Sequence, residues 1–477
     1  MPLFGTEKAD KPFILTIFGA SGDLAKLKIF PSLYRLMEHK RLPKKFFIVG
    51  FARTKKARAA FQKEFADSVR EVIGESLNPS VLKELLNHVH YVTGDYGTLE
   101  DFNSFGKFLK ELSPIPCEKL FYFSVPPVAF RPIIQNLGES TIPYKKQFRL
   151  ILEKPFGEDT ESATELFHFV ARYFTEEQIY LLDHYLGKSA VQSILYLRHS
   201  NRILNLMLKG REIANIQITA FENIGIKDRV GYFDQVGIFK DMIQSHLMQL
   251  LALVTMSIPV TNRAASLHKE KYSILSALDL PRSGKNVVQG QYVSYRKNPE
   301  VPKGSNTETF AALRLFIDRE SWYKVPIYIR TGKMLHEKHT YITVELKKFD
   351  FQFPEEDPNR LIFELQPDEK LHIKLINKHG GGTVAQDVLT TDSIACEGDN
   401  CLPEHARLLL DVMGGNKVYF LSFPEIIASW ALLDQVLGRV ERGKVPLHHY
   451  KDGGKGPNQQ HLLTKIDGFE WFDLHNL

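Results

Sequence analysis

The sequence predicts an α/β N-terminal domain of the Rossmann-like type and an α+β C-terminal domain with a large, mainly antiparallel sheet. The chain has 477 residues, whereas single hydrophobic cores rarely grow beyond about 300 residues. Up to about residue 180, short continuous apolar runs alternate with helical patterns, as in doubly wound parallel sheets. Later segments instead alternate apolar and polar residues, which is typical of half-buried antiparallel strands.

The first domain opens with a β-α-β unit. Residues 13–18, "FILTIF", form an apolar run suited to a strand buried on both faces. Apolar residues then recur at helical spacing, and a second run at 46–53 completes the unit. Two further strands are predicted at 120–125 and 148–155, and two of the intervening helices at 99–112 and 127–137.

Five alternating segments predict the sheet of the second domain: 214–223, 325–333, 340–349, 360–367 and 370–377. Helical patterns at 235–256 and 403–415 interrupt them, which indicates helices packed on a face of that sheet. We therefore divide the chain into residues 1–182 and 183–477.

Composition excludes several classes of protein. The net charge of +5 is small, and Lys and Arg are interspersed with Asp and Glu, so we expect no nucleic-acid partner. We see neither a leader pattern nor an apolar run of about 18 residues, so we expect no membrane association and a cytoplasmic location. The three cysteines, Cys117, Cys396 and Cys401, lack a zinc-site spacing, and we expect reduced thiols.

A glycine-rich turn follows the first strand. Gly19-Ala-Ser-Gly22-Asp-Leu-Ala25 lies between a predicted strand and a predicted helix, the context of a dinucleotide-binding fingerprint. Small residues allow backbone N–H groups to approach a pyrophosphate, and the helix N-terminus adds a favourable partial charge. A plain tight turn is the alternative interpretation.

The end of the second strand indicates which dinucleotide is bound. NAD-selective sites commonly place an acid there, whereas this chain has Arg53 and Thr54. An arginine accepts a 2′-phosphate in fork geometry, so the pattern predicts NADP. The alternative is a solvent-facing basic loop.

Two further stretches bring charged groups to predicted strand ends. Lys154 ends the strand at 148–155 and precedes a proline, so that its peptide bond to Pro155 could be cis. The motif "LLDHYLGKS" packs an acid, an imidazole, a phenol and an ammonium into six positions. These are Asp183, His184, Tyr185 and Lys188. A surface lysine and a solvated turn are the respective alternatives.

The long helical segment has few polar positions, among them Asp241 and His246. A lone histidine on such a helix is commonly a hydrogen-bonded core residue. A histidine oriented by a carboxylate is also a suitable general base, and Asp183 is a candidate for that carboxylate. Lys333 and Lys338 follow a later strand; they are either solvated or, with Lys188, able to bind a phosphoryl group.

The ordered set of these motifs resembles the glucose-6-phosphate dehydrogenase family. The matching stretches are "FGASGDLAK", "EKPFG", "DHYLGK", "GYFDQVGIFKDMIQSHLMQ", "VPIYIRTGK", "LQPDE" and "RLLLDVMGGNKVYF". They occur in family order between about residues 13 and 455, which covers nearly the whole chain.

The resemblance implies a role for each matched residue. His246 would remove the proton from the C1 hydroxyl of glucose 6-phosphate, Asp183 would orient His246, and hydride would pass to NADP without a metal. His184, Tyr185, Lys188 and Lys338 would hold the phosphate; Lys154, Glu222, Asp241 and Lys333 would bind sugar hydroxyls or surround the phosphate. The coenzyme would contact Gly19, Ser21, Gly22, Asp23, Leu24, Arg53, Thr54 and Lys154. The resemblance also implies a homodimer or homotetramer formed through the large sheet.

The chain departs from the family pattern at Leu27, Leu181, Ser189 and the segment after Pro403, none of which is a proposed catalytic residue. One rival hypothesis is a catalytically inactive NADP-binding redox sensor, which predicts a damaged Asp183 and His246 pair. Another is a sugar-nucleotide oxidoreductase, which predicts a Tyr-x-x-x-Lys pair; Tyr185 and Lys188 are one residue too close.

Overall fold

A computed structural model describes residues 5–113, 117–226, 230–261, 263–282, 284–348, 357–378, 384–392 and 401–477. The chain separates into two compact units. The first contains Met1–Lys188, Thr261–His268 and Gly398–Phe423, and the second contains Ser189–Val260, Lys269–Glu397 and Pro424–Leu477.

The strands are, in chain order, β1 (Phe13–Phe18), β2 (Phe46–Ala52), β3 (Val89–Thr93), β4 (Glu118–Phe123), β5 (Phe148–Glu153), β6 (Ile179–Leu182), β7 (Ile213–Phe221), β8 (Leu278–Asp279), β9 (Val287–Tyr292), β10 (Phe310–Ile317), β11 (Ile327–Gly332), β12 (His339–Leu346), β13 (Arg360–Gln366), β14 (Leu371–Lys378), β15 (Val384–Thr390) and β16 (Leu447–Tyr450).

The α-helices are α1 (Phe30–Glu38), α2 (Arg58–Ile73), α3 (Pro79–Asn87), α4 (Leu99–Leu112), α5 (Phe130–Glu139), α6 (Thr160–Ala171), α7 (Ser189–Ser200), α8 (Arg202–Met207), α9 (Val230–Ile238), α10 (Met248–Thr255), α11 (Ala264–Leu275), α12 (Glu404–Gly414), α13 (Phe423–Glu441) and α14 (Gln460–Lys465). Two stretches are π-helical, Ala25–Ile29 and Phe239–Leu247.

The first unit is built on a parallel sheet of six strands in the order β3-β2-β1-β4-β5-β6. Every residue of β1 is buried, as expected for a strand that is covered on both faces. This confirms the predicted Rossmann-like α/β fold. The prediction omitted β3, whose residues are mostly half-exposed, and β6, which has only four residues.

The second unit is built on a sheet of ten strands in the order β15-β14-β13-β12-β7-β11-β10-β9-β16, with β8 paired to β10. Two of its pairs, β7 with β11 and β9 with β16, are parallel; the others are antiparallel. This confirms the mainly antiparallel sheet. The prediction omitted β9, whose residues are all buried, because a fully buried strand does not alternate apolar and polar residues.

The single helix expected over 235–256 is wrong in detail. The segment comprises the end of α9, the π-helix Phe239–Leu247 and α10, with a break at Gly237, where φ is 67° and ψ is 171°. A Cβ at Gly237 would lie 2.2 Å from Glu308 Oε1. A close contact and a positive φ therefore end the helix, and apolar spacing reveals neither.

Two other expectations concern chemistry and the membrane. Cys117 is buried and free, whereas Cys401 is disulfide-bonded, so the expectation of reduced thiols is wrong for Cys401. Cysteine number and spacing do not reveal which sulfur atoms meet in the fold, and Cys396 lies outside the described residues. Among the helices of the described ranges, none is long and apolar enough to cross a membrane.

Candidate functional site

One edge of the parallel sheet carries the candidate residues of the first unit. Gly19 directly follows β1, Arg53 follows β2, Lys154 follows β5 and Asp183 follows β6. Because these strands are parallel, their carboxyl ends meet at the same edge, where open α/β sheets bind ligands. Residues distant in the sequence are thereby brought to a common edge of the sheet.

The glycine-rich turn is shaped so that only glycine fits at its first position. Gly19 has a φ of 77°, and a Cβ there would lie 2.0 Å from the backbone oxygen of Ser124. The Gly19 N–H donates to Tyr96 Oη at 2.9 Å, and the Gly22 N–H donates to the Gly19 carbonyl at 2.9 Å. The helix that contains Asp23 and Leu24 begins immediately afterwards. This backbone fits the close approach that a pyrophosphate requires.

The loop after β2 presents exposed basic side chains. Arg53 and Thr54 are both exposed, and the Thr54 carbonyl accepts a hydrogen bond from Tyr91 Oη at 2.5 Å. Lys56 instead pairs with Glu64 at 2.7 Å and donates to Ser21 Oγ at 3.3 Å. Arg53 therefore has the position and the exposure that recognition of a 2′-phosphate requires.

The motif after β6 is a built turn. Asp183 is fully buried, and its Oδ1 accepts the Tyr185 N–H at 2.9 Å, capping the 3₁₀ turn His184–Gly187. Lys188 Nζ lies 3.7 Å from the centroid of the buried Tyr185 ring, a cation–π arrangement. Contacts within the motif thus connect Asp183 to Tyr185 and Tyr185 to Lys188.

Glu153, a half-buried acid, ends β5 directly before Lys154, on the strand next to β6. Burial raises the pKa of Glu153 to about 7, and its carboxylate accepts a hydrogen bond from Tyr122 Oη. The Lys154–Pro155 peptide bond is cis, as its sequence allows. Tyr122 and Tyr96 support this edge without belonging to any motif, so no sequence signal identifies them.

The second unit contains a cavity of about 350 Å³ at the end of two parallel strands. Glu222 follows β7 and Lys333 follows β11, and the Glu222 N–H donates to the Gly332 carbonyl at 2.9 Å. Four charged candidate residues, Glu222, Asp241, Lys333 and Lys338, line this cavity. It is also lined by Asn223, Ile224, Gly225, Ile226, Tyr232 and Phe233, which the sequence motifs did not single out as site residues.

Lys333 is the electrostatic centre of the cavity. Its Nζ lies 2.5 Å from Glu222 Oε2 and 3.3 Å from Asp241 Oδ2. Burial lowers the pKa of Lys333, but Asp241 and Glu222 together outweigh burial and raise it. The ammonium is therefore charged and held by two carboxylates, beside open volume.

His246 is buried in the π-helix that also carries Asp241. A π-helix joins residues five apart by a backbone hydrogen bond, and Asp241 and His246 are five apart. They therefore project from closer positions on the helix surface than the α-helical spacing assumed from the sequence would place them. Single-turn π segments are frequent at functional sites.

Comparison with known proteins gives matches along nearly the whole chain. The family model described as "Glucose-6-phosphate dehydrogenase, NAD binding domain" matches residues 16–193, and the corresponding C-terminal domain matches residues 195–472. Cytoplasmic glucose-6-phosphate 1-dehydrogenase 5 of Arabidopsis thaliana is 35% identical over 95% of this chain and 91% of its own. Glucose-6-phosphate 1-dehydrogenase of Bacillus subtilis is 33% identical over 97% and 98%.

A solved structure of glucose-6-phosphate dehydrogenase in complex with glucose 6-phosphate superposes with a TM-score of 0.89 at 30% sequence identity. The match covers 98% of this chain and 99% of that one. The similarity in sequence and in fold thus extends across both compact units.

Proposed function

Because the chain belongs to the glucose-6-phosphate dehydrogenase family, we propose how its residues divide the work of that family's reaction. The chain oxidises the C1 hydroxyl of glucose 6-phosphate to the 1,5-lactone and uses NADP as coenzyme. That reaction removes one proton and one hydride from the sugar, so a base and a hydride acceptor are both required.

The proposed substrate site is the cavity of the second unit, because that cavity is lined by two lysines and two carboxylates. A phosphorylated sugar has a dianionic end and several hydroxyl groups. Lys333 and Lys338 provide cations for the phosphate. Glu222 and Asp241 provide carboxylates that can accept hydrogen bonds from the sugar hydroxyl groups. Because Lys333 is already held by two carboxylates, it is preorganised for this contact.

His246 is proposed as the general base that takes the C1 hydroxyl proton, and Asp183 as the carboxylate that orients it. The family motifs around both residues support these roles. His184, Tyr185 and Lys188 are proposed to hold the substrate phosphate, and Lys154 to contact substrate and coenzyme. Binding energy at the phosphate end would position C1 for reaction.

NADP is proposed to lie along the edge formed by the ends of β1 and β2. Gly19, Ser21, Gly22, Asp23 and Leu24 would hold its pyrophosphate, and Arg53 with Thr54 would contact its 2′-phosphate. When bound, NADP supplies the hydride acceptor. The protein supplies orientation and the separate path for the proton.

The division of roles between residues 1–182, as the NADP-binding domain, and 183–477, as the substrate-binding and dimerisation domain, is part of this proposal. So is assembly into a homodimer or homotetramer through the large sheet, with no nucleic-acid or membrane partner. A cytoplasmic location is proposed because a relative that is 35% identical is named as cytoplasmic.

The substrate assignment is tested by comparing phosphorylated and unphosphorylated glucose. NADPH formation would be followed by absorbance with each sugar and NADP, for the parent and for Lys338→Met. The parent should turn over glucose 6-phosphate, with glucose at least ~100-fold poorer in kcat/KM because the phosphate contacts are lost. Lys338→Met should raise KM for the phosphorylated sugar only. Equal turnover of the two sugars by the parent would contradict the assignment.

A further inference from the structure

A cluster of one carboxylate and three histidines lies around the beginning of β12, in the large sheet. Three histidines contact the Glu337 carboxylate. His475 Nε2 lies 2.8 Å and His339 Nδ1 3.4 Å from Oε2, and His336 Nε2 lies 3.2 Å from Oε1. One ligand atom each of Glu337, His339 and His475 lie within 4.8 Å of one another. None of these residues has a role in the proposed reaction.

We propose that Glu337, His339 and His475 form a binding site for one Zn²⁺ ion, which fastens the C-terminal segment to the beginning of β12. Two imidazoles and one carboxylate are a donor set that zinc takes in proteins, with a water as fourth ligand. Bonds of about 2.0 to 2.1 Å in a tetrahedron require ligand atoms about 3.3 Å apart. Glu337 Oε2 lies 2.8 Å from His475 Nε2 and 3.4 Å from His339 Nδ1, close to that spacing, and one ligand atom from each of the three residues lies within 4.8 Å of the others.

The support behind His339 is the arrangement expected of a metal ligand. Its Nε2 lies 3.0 Å from Glu364 Oε1, so its Nδ1 is the nitrogen that faces Glu337. The other Glu364 oxygen lies 3.1 Å from His372 Nε2, which holds the carboxylate in place. A carboxylate on the outer nitrogen orients a ligating histidine and makes it a better donor.

The third ligand is held in position by the C-terminal segment itself. Phe472 and Leu474 are buried in a cluster with Tyr341 and Ile362, and Tyr341 Oη donates to the Phe472 carbonyl at 2.9 Å. His475 therefore stands one residue beyond a packed anchor, although its own side chain is 65% exposed. Sites whose ligands are carried by packed elements are preorganised for binding.

The alternative to a metal site is a set of ion pairs, in which protonated histidines neutralise the carboxylates. His339 lies between the carboxylates of Glu337 and Glu364, and although burial lowers its pKa, hydrogen bonding to Glu364 and the charge of Glu337 raise it. An imidazolium in this position would satisfy the same carboxylates. Metal binding and charge pairing therefore predict different results when Zn²⁺ is added.

The test is titration of the chelator-treated, dialysed full-length protein with Zn²⁺ by calorimetry, for the parent, His475→Gln, Glu364→Gln and His449→Gln. The His475 side chain is largely exposed, so its substitution should not impair folding. His449 is an exposed histidine of β16 and serves as the control. Thermal unfolding with and without Zn²⁺ would be measured in parallel.

We expect one Zn²⁺ to bind the parent and His449→Gln, and to raise the unfolding temperature of both. His475→Gln should bind at least ~10-fold more weakly because one of three ligands is lost. Glu364→Gln should lose ~10- to 100-fold, the usual effect of a changed outer-shell partner. If the parent binds no Zn²⁺ at micromolar concentration, or if His475→Gln binds it as well as the parent, the proposal is wrong.

Discussion

Lys333 Nζ lies 2.5 Å from Glu222 Oε2 in a cavity formed at the ends of the parallel neighbours β7 and β11. The two residues are 111 positions apart in the sequence, and the strand pair brings them together. The charge of Lys333 is shared with Asp241 at 3.3 Å. Under the proposed assignment, an anionic substrate would meet a cation that is already placed and is flanked by two carboxylates.

Lys333→Met should reduce kcat/KM for glucose 6-phosphate by at least ~100-fold. Removal of the ammonium takes away the placed cation and leaves the partly exposed carboxylates of Glu222 and Asp241 facing an anionic substrate. Steady-state kinetics of the variant and of Lys324→Met, which changes an exposed lysine outside the cavity, would check this. A variant with parental kcat/KM would remove Lys333 from the substrate site.

Gly19→Ala should abolish measurable NADP binding or destabilise the first unit, whereas Gly22→Ala should have a smaller effect. The alanine Cβ at position 19 would lie 2.0 Å from a backbone oxygen, while at position 22 its nearest neighbour is a backbone oxygen at 3.2 Å. The φ of 77° at Gly19 adds strain of about 1 kcal/mol or more. NADP titration by fluorescence, with thermal unfolding of each variant, would measure the difference. Equal behaviour of the two variants would refute the steric argument.

Arg53→Ser should lower kcat/KM for NADP by ~10-fold or more and leave kcat/KM for NAD nearly unchanged. The guanidinium contributes a charge-assisted contact of about 1.5 to 3 kcal/mol only where a 2′-phosphate is present. Lys55→Ser changes an exposed cation two positions further along the chain and is the matched control. A parallel loss with both coenzymes would assign Arg53 a structural role instead.

Ionisation of the Glu308 carboxyl group should lower the free energy of unfolding as the pH rises. Burial raises its pKa to about 7, although backbone hydrogen bonds to its carboxylate act in the opposite direction. Between its unfolded pKa near 4.5 and its folded value, the folded state binds the extra proton. Stability is therefore lost as the pH rises through this interval, by up to about 3 kcal/mol.

Glu308→Gln should flatten that dependence, because the amide stays neutral at every pH and keeps an oxygen to accept the Phe239 N–H. Unfolding temperatures of the parent, Glu308→Gln and the exposed control Glu300→Gln would be compared between pH 5 and 8. The parent and Glu300→Gln should share one slope. If Glu308→Gln retains the same slope, the carboxyl does not titrate in this range.

Glu425→Gln should destabilise the second unit by about 3 to 5 kcal/mol, since it removes the carboxylate that pairs with the buried Lys271 ammonium. The two side chains are 0% and 1% exposed, with Nζ 2.8 Å from Oε2. The double variant Lys271→Met with Glu425→Leu should recover most of the loss, because a well-packed apolar pair often replaces a buried ion pair without cost. Denaturant unfolding of the single and double variants would measure both effects.

The strands and helices that were predicted correctly are those with a strong local pattern of apolar residues. The strand at 13–18 and the helix at 99–112 were predicted with their observed bounds, because each combines a strong apolar pattern with a clear boundary. The break at Gly237 and the π-helix after it were not predicted. They depend on contacts with Glu308, which is distant in the sequence.

For the candidate site, sequence reasoning located residues but not their partners. It placed Glu222, Asp241, Lys333 and Lys338 in a substrate site by family resemblance, and the structure places all four on one cavity. The Zn²⁺ ligands proposed above had no sequence signal. Glu337 and His339 are two apart, but His475 joins them only through the folding of the C-terminal segment onto Tyr341.

Replacing His246 with asparagine removes the imidazole that is proposed to take the C1 hydroxyl proton. With glucose 6-phosphate and NADP, kcat should fall by ~10²- to 10⁴-fold, the usual contribution of a general base. The dissociation constant for glucose 6-phosphate, measured by calorimetry, should change by no more than about threefold, since the base acts in the transition state. An unchanged kcat in His246→Asn would exclude His246 as the base and assign the proton transfer to another residue.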